Sequence, residues 1–224
     1  MNLTKILIST ILFGFLLTFS ACKKKPIDPG SDPNFTIVLN SDDGYGMYNR
    51  KIDVFGVSVY AHKKVDDSKL LHTANILAQY LDNNEDGIAD NQLVLDALLS
   101  SKASVGMKKN SSSWVRTPQY AQDLYGSETI PEWHTNGHTG NFDASLEEVL
   151  HVITHSGYAN AYPSIFGEAT GTSVSNAMDI ARGGQFTEIP NPYPSTAWYT
   201  YDDQTCDYGC MVTEYMYWAL TSVL

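Results

Sequence analysis

The chain has 224 residues, with 25 acidic and 14 basic side chains and a formal net charge of -11. Such an excess of carboxylates argues against nucleic acid as a partner and favours the binding of cations. The length suits one substantial domain that follows a short leader.

The first 22 residues have the pattern of a bacterial export signal. A basic start ending at Lys5 precedes an apolar run over positions 6–19, which closes with Ser-Ala-Cys22. The run is shorter than a membrane span, and small residues are typical of a cleavage site. The ending resembles the lipobox of bacterial lipoproteins. The alternative is an ordinary cleaved signal with an incidental cysteine.

The lipobox resemblance implies a protein of the bacterial cell envelope that is anchored by lipid rather than spanning the membrane. Residues 1–21 are then a signal peptide, and Cys22 is the lipidated first residue of the mature chain, in the outer membrane and facing either the periplasm or the surface. Residues 22–35, rich in lysine and proline, are predicted to form a flexible tether. Residues 36–224 are predicted to form a single metal-binding domain.

The composition and patterning predict an α+β fold that is mainly helical. Strands are predicted over Ile52–Tyr60, which is rich in β-branched and aromatic residues, and over Ser104–Lys108. Helices are predicted where apolar residues recur at helical spacing, over positions 67–81, 92–99, 145–155, 172–181 and 212–224. Segment 109–142 lacks such a period and is predicted to be a long ordered loop with short elements, which often carries function.

An acidic loop over positions 82–90 lies between the first two predicted helices. Side-chain oxygens at alternate positions, followed by Gly87 at the sixth, can wrap a chain around a hard cation such as Ca²⁺. The predicted calcium ligands are Asp82, Asn84, Asp86, the Ile88 carbonyl and Asp90. The loop resembles an EF-hand but has Leu93 at the twelfth position, so it is more similar to the loops of dockerins and thrombospondin type 3 repeats. A solvated turn is the alternative.

The predicted helix 145–155 carries His151 and His155, with Glu147 and Glu148 one turn upstream. At ~100° per residue these four side chains share one side of a helix, opposite the apolar residues. Two imidazoles one turn apart can bind the same metal ion. The predicted Zn²⁺ ligands are therefore His151, His155 and Glu168, and Glu148 or Glu147 is the predicted catalytic base.

This helix resembles the zinc helix of zincin metallopeptidases, and a downstream acidic ligand resembles the gluzincin plan. The zincin signature places its glutamate directly after the first histidine, where this chain has Val152. The inverted signature places a glutamate directly before the second histidine, where this chain has Thr154. The resemblance therefore implies a base from the preceding turn.

Other interpretations of the same residues stay open. Ser145 and Glu148 have the spacing of a helix capping box. His134 and His138 compete with Glu168 for the third zinc position. Glu148 and His151 also match the Glu-x-x-His element of di-iron bundles, although a second such element is missing from the sequence.

The last two cysteines, Cys206 and Cys210, are four residues apart. An oxidising compartment favours a disulfide between them. The alternative is that this thiol pair contributes to a metal site.

Positions 80–87, 147–151, 197–203 and 213–215 together resemble a family of uncharacterised bacterial lipoproteins. The resemblance implies a metallopeptidase-like domain. The predicted function is that of an exported, lipid-anchored zinc hydrolase acting on peptides, with a structural calcium loop. The alternative is a non-catalytic calcium-binding surface lipoprotein that binds a partner or a glycan, which Val152 in the position of the base favours.

Overall fold

A computed structural model describes residues 35–223. The predicted signal peptide, the lipidation residue Cys22 and the predicted tether up to residue 34 lie outside the described residues, as does Leu224. Within residues 35–223, no helix has both the length and the apolar character that crossing a bilayer requires.

A five-stranded mixed sheet forms the centre of the domain, with its strands in sequence order. Its strands are β1 (Val38–Leu39), β2 (Tyr48–Val54), β3 (Val57–His62), β4 (Ser104–Lys108) and β5 (Ala121–Tyr125). The first three strands are antiparallel, whereas β4 is parallel to β3 and β5 is parallel to β4. Because parallel neighbours need a crossover, the chain between β3 and β4 carries two helices.

The strand predicted over Ile52–Tyr60 is wrong as one element, because the chain reverses within it to form the β2–β3 hairpin. Phe55 and Gly56 make the turn with φ angles of 51° and 90°, as two-residue hairpins require. Phenylalanine seldom adopts positive φ, so of the two turn residues only Gly56 is typical of such a turn. The prediction for β4 is confirmed, and β5 is one of the short elements of segment 109–142.

Seven α-helices lie within residues 35–223, and two of them, the first and the third, make the main helical contacts with the sheet. The seven helices are α1 (Asp67–Leu81), α2 (Gln92–Ser100), α3 (Ser145–His151), α4 (Ala159–Ala161), α5 (Pro163–Phe166), α6 (Ser173–Ala181) and α7 (Tyr208–Thr221). A 3₁₀ turn covers Pro131–His134, and a π-helix, Val152–Tyr158, joins α3 to α4. The predictions for α1, α2 and α6 are confirmed, while α7 begins four residues before the predicted start.

Helix α3 lies between two hydrophobic clusters. The larger one packs the sheet against α1, α2, α3 and the π-helix, and Val149 of α3 and Ile153 of the π-helix are almost fully buried in it. The smaller one joins α6 to α7 through Met178 and Met211. Helix α3 contacts α1, β5 and α7, so the domain is a single α+β unit in which α3 is held from several sides.

We expect Gly157→Ala to destabilise the protein by about 1–3 kcal/mol, because an added Cβ overpacks the contact between the π-helix and α2. That Cβ would lie 2.8 Å from Val94 Cγ1 and 3.3 Å from Leu98 Cγ. Val94 is buried and its branched side chain cannot rotate away easily. Urea denaturation measures the change.

The matched control for this prediction is Gly46→Ala, because a Cβ at Gly46 meets no atom within 4 Å. Its free energy of unfolding should change by less than about 0.5 kcal/mol. A Gly157→Ala protein as stable as the wild type would contradict the tight contact between the two helices.

Candidate functional site

The start of α3 differs from the predicted capping box. The N-cap residue is Ala144, which makes no side-chain cap, and the Ser145 hydroxyl donates a 2.7 Å hydrogen bond to Asp143 Oδ2. Glu148 instead accepts a 2.6 Å hydrogen bond from the Gln122 amide on β5. The capping-box interpretation is therefore wrong, and the Glu148 carboxylate is fixed by the sheet.

Three side chains from two helices form a potential metal-binding group at the junction of α3 and α7. The ligand atoms of Glu147, His151 and Glu214 all lie within 4.8 Å of one another. His151 Nε2 lies 3.9 Å from Glu214 Oε2, and its Nδ1 lies 3.8 Å from Glu148 Oε2. We call Glu147, His151 and Glu214 the α3–α7 cluster.

The imidazole of His151 is only 7% exposed, and its Nε2 atom has no hydrogen-bond partner among the described residues. Buried polar atoms almost always have partners, so an orphaned nitrogen needs an explanation. It faces Glu214 at a distance too long for a hydrogen bond. An ion between these atoms would satisfy both, and imidazole nitrogen with carboxylate oxygen is a donor set suited to Zn²⁺.

The electrostatics of the α3–α7 cluster also favour an added positive charge. Burial, reinforced by the neighbouring Glu214 carboxylate, raises the pKa of Glu147 to about 7. Burial likewise raises the pKa of Glu214. Burial lowers the pKa of His151, but the surrounding carboxylates of Glu148, Glu214 and Glu147 outweigh it and raise the pKa overall. Each group holds its proton more tightly than in an unfolded chain, as happens where negative charge is crowded.

His155 and Glu168 form a separate pair rather than joining His151 in one group. His155 Nδ1 lies 2.7 and 2.9 Å from the two Glu168 carboxylate oxygens, and the Thr213 hydroxyl donates a 2.6 Å hydrogen bond to the same carboxylate. The hydrogen bond that His155 donates to Glu168 raises the pKa of His155. The structure therefore does not bring the predicted zinc ligands His151, His155 and Glu168 into one group of converging atoms.

A change of helix type at His151 accompanies this separation. The predicted regular α-helix ends there, and the following residues are π-helical, so their backbone bonds close after five residues instead of four. His155 is consequently not placed one α-helical turn above His151. It is 64% exposed at the side chain and turns towards Glu168.

Both imidazoles nevertheless line one cavity of about 430 Å³. His151 at the end of α3 and His155 and Ser156 of the π-helix line it, together with Tyr120 and Gln122. The cavity therefore meets the α3–α7 cluster at His151 and the His155–Glu168 pair at His155. A molecule within it would lie between two chemically active groups.

Glu214 is the site residue that the sequence prediction missed. It is the only charged residue of α7, an otherwise aromatic and apolar helix, and its side chain is 14% exposed. A single carboxylate in a helix of this composition is a signal for a function, since burying a charge without a partner is costly. In the sequence, positions 213–215 contribute only to the resemblance to a lipoprotein family.

The predicted calcium ligands lie in a compact loop between α1 and α2. Asp82 is 2% exposed, and its carboxylate accepts hydrogen bonds from the Asp86 and Gly87 amides at 3.1 and 2.7 Å. Gly87 adopts a φ of 80°. The side chains of Asn84 and Asp86 each accept a hydrogen bond from the backbone amide two residues ahead, and the Asp90 carboxylate accepts one from the Asn83 amide. Backbone amides of the loop therefore converge on the Asp82 carboxylate, while Asn84, Asp86 and Asp90 place side-chain oxygens at alternate positions.

The other histidines and the cysteines take separate places. His134 lies beside His72 and Asp143, and His138 packs against the Trp133 ring at 4.4 Å. Neither belongs to the α3–α7 cluster. Cys206 and Cys210 form a disulfide across the start of α7, the helix that carries Glu214.

The chain matches no protein-family model, no curated protein and no solved structure.

Without metal, we expect the free energy of unfolding to fall by about 1–3 kcal/mol as the pH rises from about 5 to about 7.5. Over this range folded Glu147, with a pKa of about 7 against an ordinary 4.5, keeps a proton that the unfolded chain has lost. His151 acts in the same direction, because its raised pKa gives stability that is present below its ordinary 6.5 and is lost above the folded value. Urea denaturation with a chelator measures this slope.

Glu147→Gln should remove much of this pH dependence, since the amide does not titrate. The control Glu188→Gln changes an exposed carboxylate elsewhere in the chain and should leave the slope unchanged. A flat pH profile for the wild type would contradict the crowding of negative charge around His151.

Proposed function

We propose that this protein is a metal-dependent hydrolase whose ion is bound by the α3–α7 cluster. The observation that carries the proposal is the buried Nε2 of His151, which lacks a hydrogen-bond partner among residues 35–223 and faces the Glu214 carboxylate. The proposed ligands are Glu147, His151 and Glu214, which revises the zinc set predicted from the sequence. Zn²⁺ is the proposed ion because these donors are nitrogen and oxygen atoms.

When bound at a site of this kind, a divalent ion polarises a carbonyl group and lowers the pKa of a water molecule. The chain's own residues supply the remaining functions. Glu148, held by the Gln122 amide, places its carboxylate 3.8 Å from His151 Nδ1. A carboxylate beside a metal-binding histidine is a usual feature of metal sites.

His155 is the proposed proton acceptor. Its Nδ1 is bonded to Glu168, so Nε2 is the ring nitrogen left to exchange a proton, and the ring lines the cavity. Glu168 stabilises the charged imidazole that forms, in the manner of a carboxylate–histidine pair. This role replaces the predicted base, Glu148 or Glu147, whose carboxylates are engaged with Gln122 and with the α3–α7 cluster.

Peptides are the proposed substrate class. Gln119, Gln122 and Asn160 line the cavity, and their amide oxygens can accept hydrogen bonds from a peptide backbone. The sequence has no glycine-rich phosphate loop and few basic residues, which disfavours phosphate substrates. The amino-terminal pattern supports a lipid-anchored location in the bacterial cell envelope, with exposed peptides within reach.

We expect His155→Gln to lower kcat by about 10²–10⁴-fold while leaving the bound zinc unchanged, because a positioned acid–base group contributes a factor of this size. His151→Gln should lose activity and the zinc equivalent bound by the α3–α7 cluster. Cleavage of a library of fluorogenic peptides and the zinc content of the same samples measure the two effects. His138→Gln is the control, since His138 lies outside both groups.

The pH profile separates a proton acceptor from a merely structural histidine. The hydrogen bond with Glu168 raises the pKa of His155 above its ordinary 6.5. As the pH rises through this raised pKa, the imidazole loses its proton and kcat/KM should increase. Glu168→Gln should move this limb to lower pH. Zinc-loaded protein that cleaves no peptide would instead support the rival proposal, a non-catalytic calcium-binding lipoprotein that binds a partner or a glycan.

For the loop over positions 82–90 we propose a structural Ca²⁺ site that ties α1 to α2. Ca²⁺ at ten times its Kd should stabilise the protein by about 1.4 kcal/mol, or about 3–6 °C in Tm for a domain of this size. Asp86→Asn should remove most of the shift, and Asp96→Asn, an exposed change on α2, should not. Equal shifts in both variants would contradict binding at this loop.

A further inference from the structure

A second group of metal-binding side chains lies apart from the α3–α7 cluster. It combines His72 of α1, His134 at the end of the 3₁₀ turn, and Asp143 two residues before α3, with all three ligand atoms within 4.8 Å of one another. Both imidazoles direct Nε2 at the same atom, Asp143 Oδ2, at 2.7 and 2.9 Å. The three side chains converge from separate elements, so their meeting is not a consequence of local sequence.

The Asp143 carboxylate is held rigidly in this position. Its side chain is fully buried, its Oδ1 accepts a 2.8 Å hydrogen bond from the Ile130 amide, and its Oδ2 accepts one from the Ser145 hydroxyl. Hydrogen bonds that orient a carboxylate behind its metal-facing lone pair are the usual support of a metal ligand. His72 is equally constrained because it lies on α1, which packs in the main core.

We propose that His72, His134 and Asp143 bind a divalent transition-metal ion of the Zn²⁺ type. Zinc bonds of about 2.0–2.2 Å place neighbouring ligand atoms about 3.3 Å apart in a tetrahedron, so these side chains need to separate by roughly 0.5 Å. The imidazoles are 18% and 32% exposed, whereas the carboxylate is not. The fourth position therefore faces solvent, on the side of the two rings.

An ion at this position acts as a cross-link between distant parts of the chain. It joins segment 109–142, through His134, to the rigid α1 and to the residue that leads into α3. Asp143 precedes Glu147 by four residues, so the same ion fixes the start of the helix that carries the α3–α7 cluster. The site is independent of the proposed hydrolase activity, because it shares no ligand with that cluster.

The test uses purified full-length protein in which His151→Gln and Glu214→Gln have removed the first site. After treatment with a chelator, calorimetric titration with Zn²⁺ should show one equivalent bound. Adding His134→Gln or His72→Gln should weaken this binding by at least about 100-fold, since changes behind a ligand already cost 10–100-fold. Glutamine keeps an N–H group for Asp143, so the hydrogen-bond network and the fold are retained; circular dichroism checks this.

His138→Gln is the matched control, because it removes a histidine of the same loop that packs on Trp133 instead. It should retain the zinc equivalent and the zinc-induced rise in Tm, which His72→Gln and His134→Gln should lose. Absence of zinc binding in the doubly substituted background, or binding unaffected by both glutamine variants, would overturn the proposal. Failure of the hydrolase proposal gives a different result. In that case the single variant His151→Gln binds as much zinc as the wild-type protein.

Discussion

Negative charge confined around one imidazole is the constraint on which the rest of the site depends. Glu147, Glu148 and Glu214 surround His151, and a single imidazole cannot balance three carboxylates. Taking such charges out of water is costly unless protons or a cation neutralise them. The raised pKa values of Glu147 and Glu214 favour neutralisation by protons. The His151 nitrogen without a hydrogen-bond partner among the described residues favours neutralisation by a cation. Protons and a metal ion therefore compete for one position.

The fold keeps these charges together by packing α3 on both sides. Val149 belongs to the core that covers the sheet, while the opposite side of α3 contacts α7. A disulfide spans the first turn of α7, so Glu214 comes from a helix with a fixed start. The π-helix then turns His155 away to Glu168, and such irregular helical segments are frequent at functional sites. Stability and chemistry thus rest on the same helix junction.

The sequence predicted the elements whose signals are local, and it failed where tertiary contacts decide. Periodic apolar residues were sufficient for α1, α2 and α6, and β-branched residues for β4. The β2–β3 turn was missed because Phe55 is an unusual residue at positive φ. His151 and Glu147, predicted as a zinc ligand and as a catalytic base, lie in one group of converging ligand atoms. Glu214 was not, since its approach to α3 depends on packing between segments more than sixty residues apart.

Access by solvent is what separates a catalytic site from a structural one in this arrangement. His151 is almost fully buried, which suits a ligand that must hold an ion without competition from water. His155 is well exposed, which suits a group that exchanges protons with solvent. Both rings line the cavity, so a bound substrate can contact the buried His151 and the exposed His155 at the same time. The cluster of His72, His134 and Asp143 pairs a buried carboxylate with exposed rings but has no such partner beside it, which fits a cross-link rather than a second reaction centre.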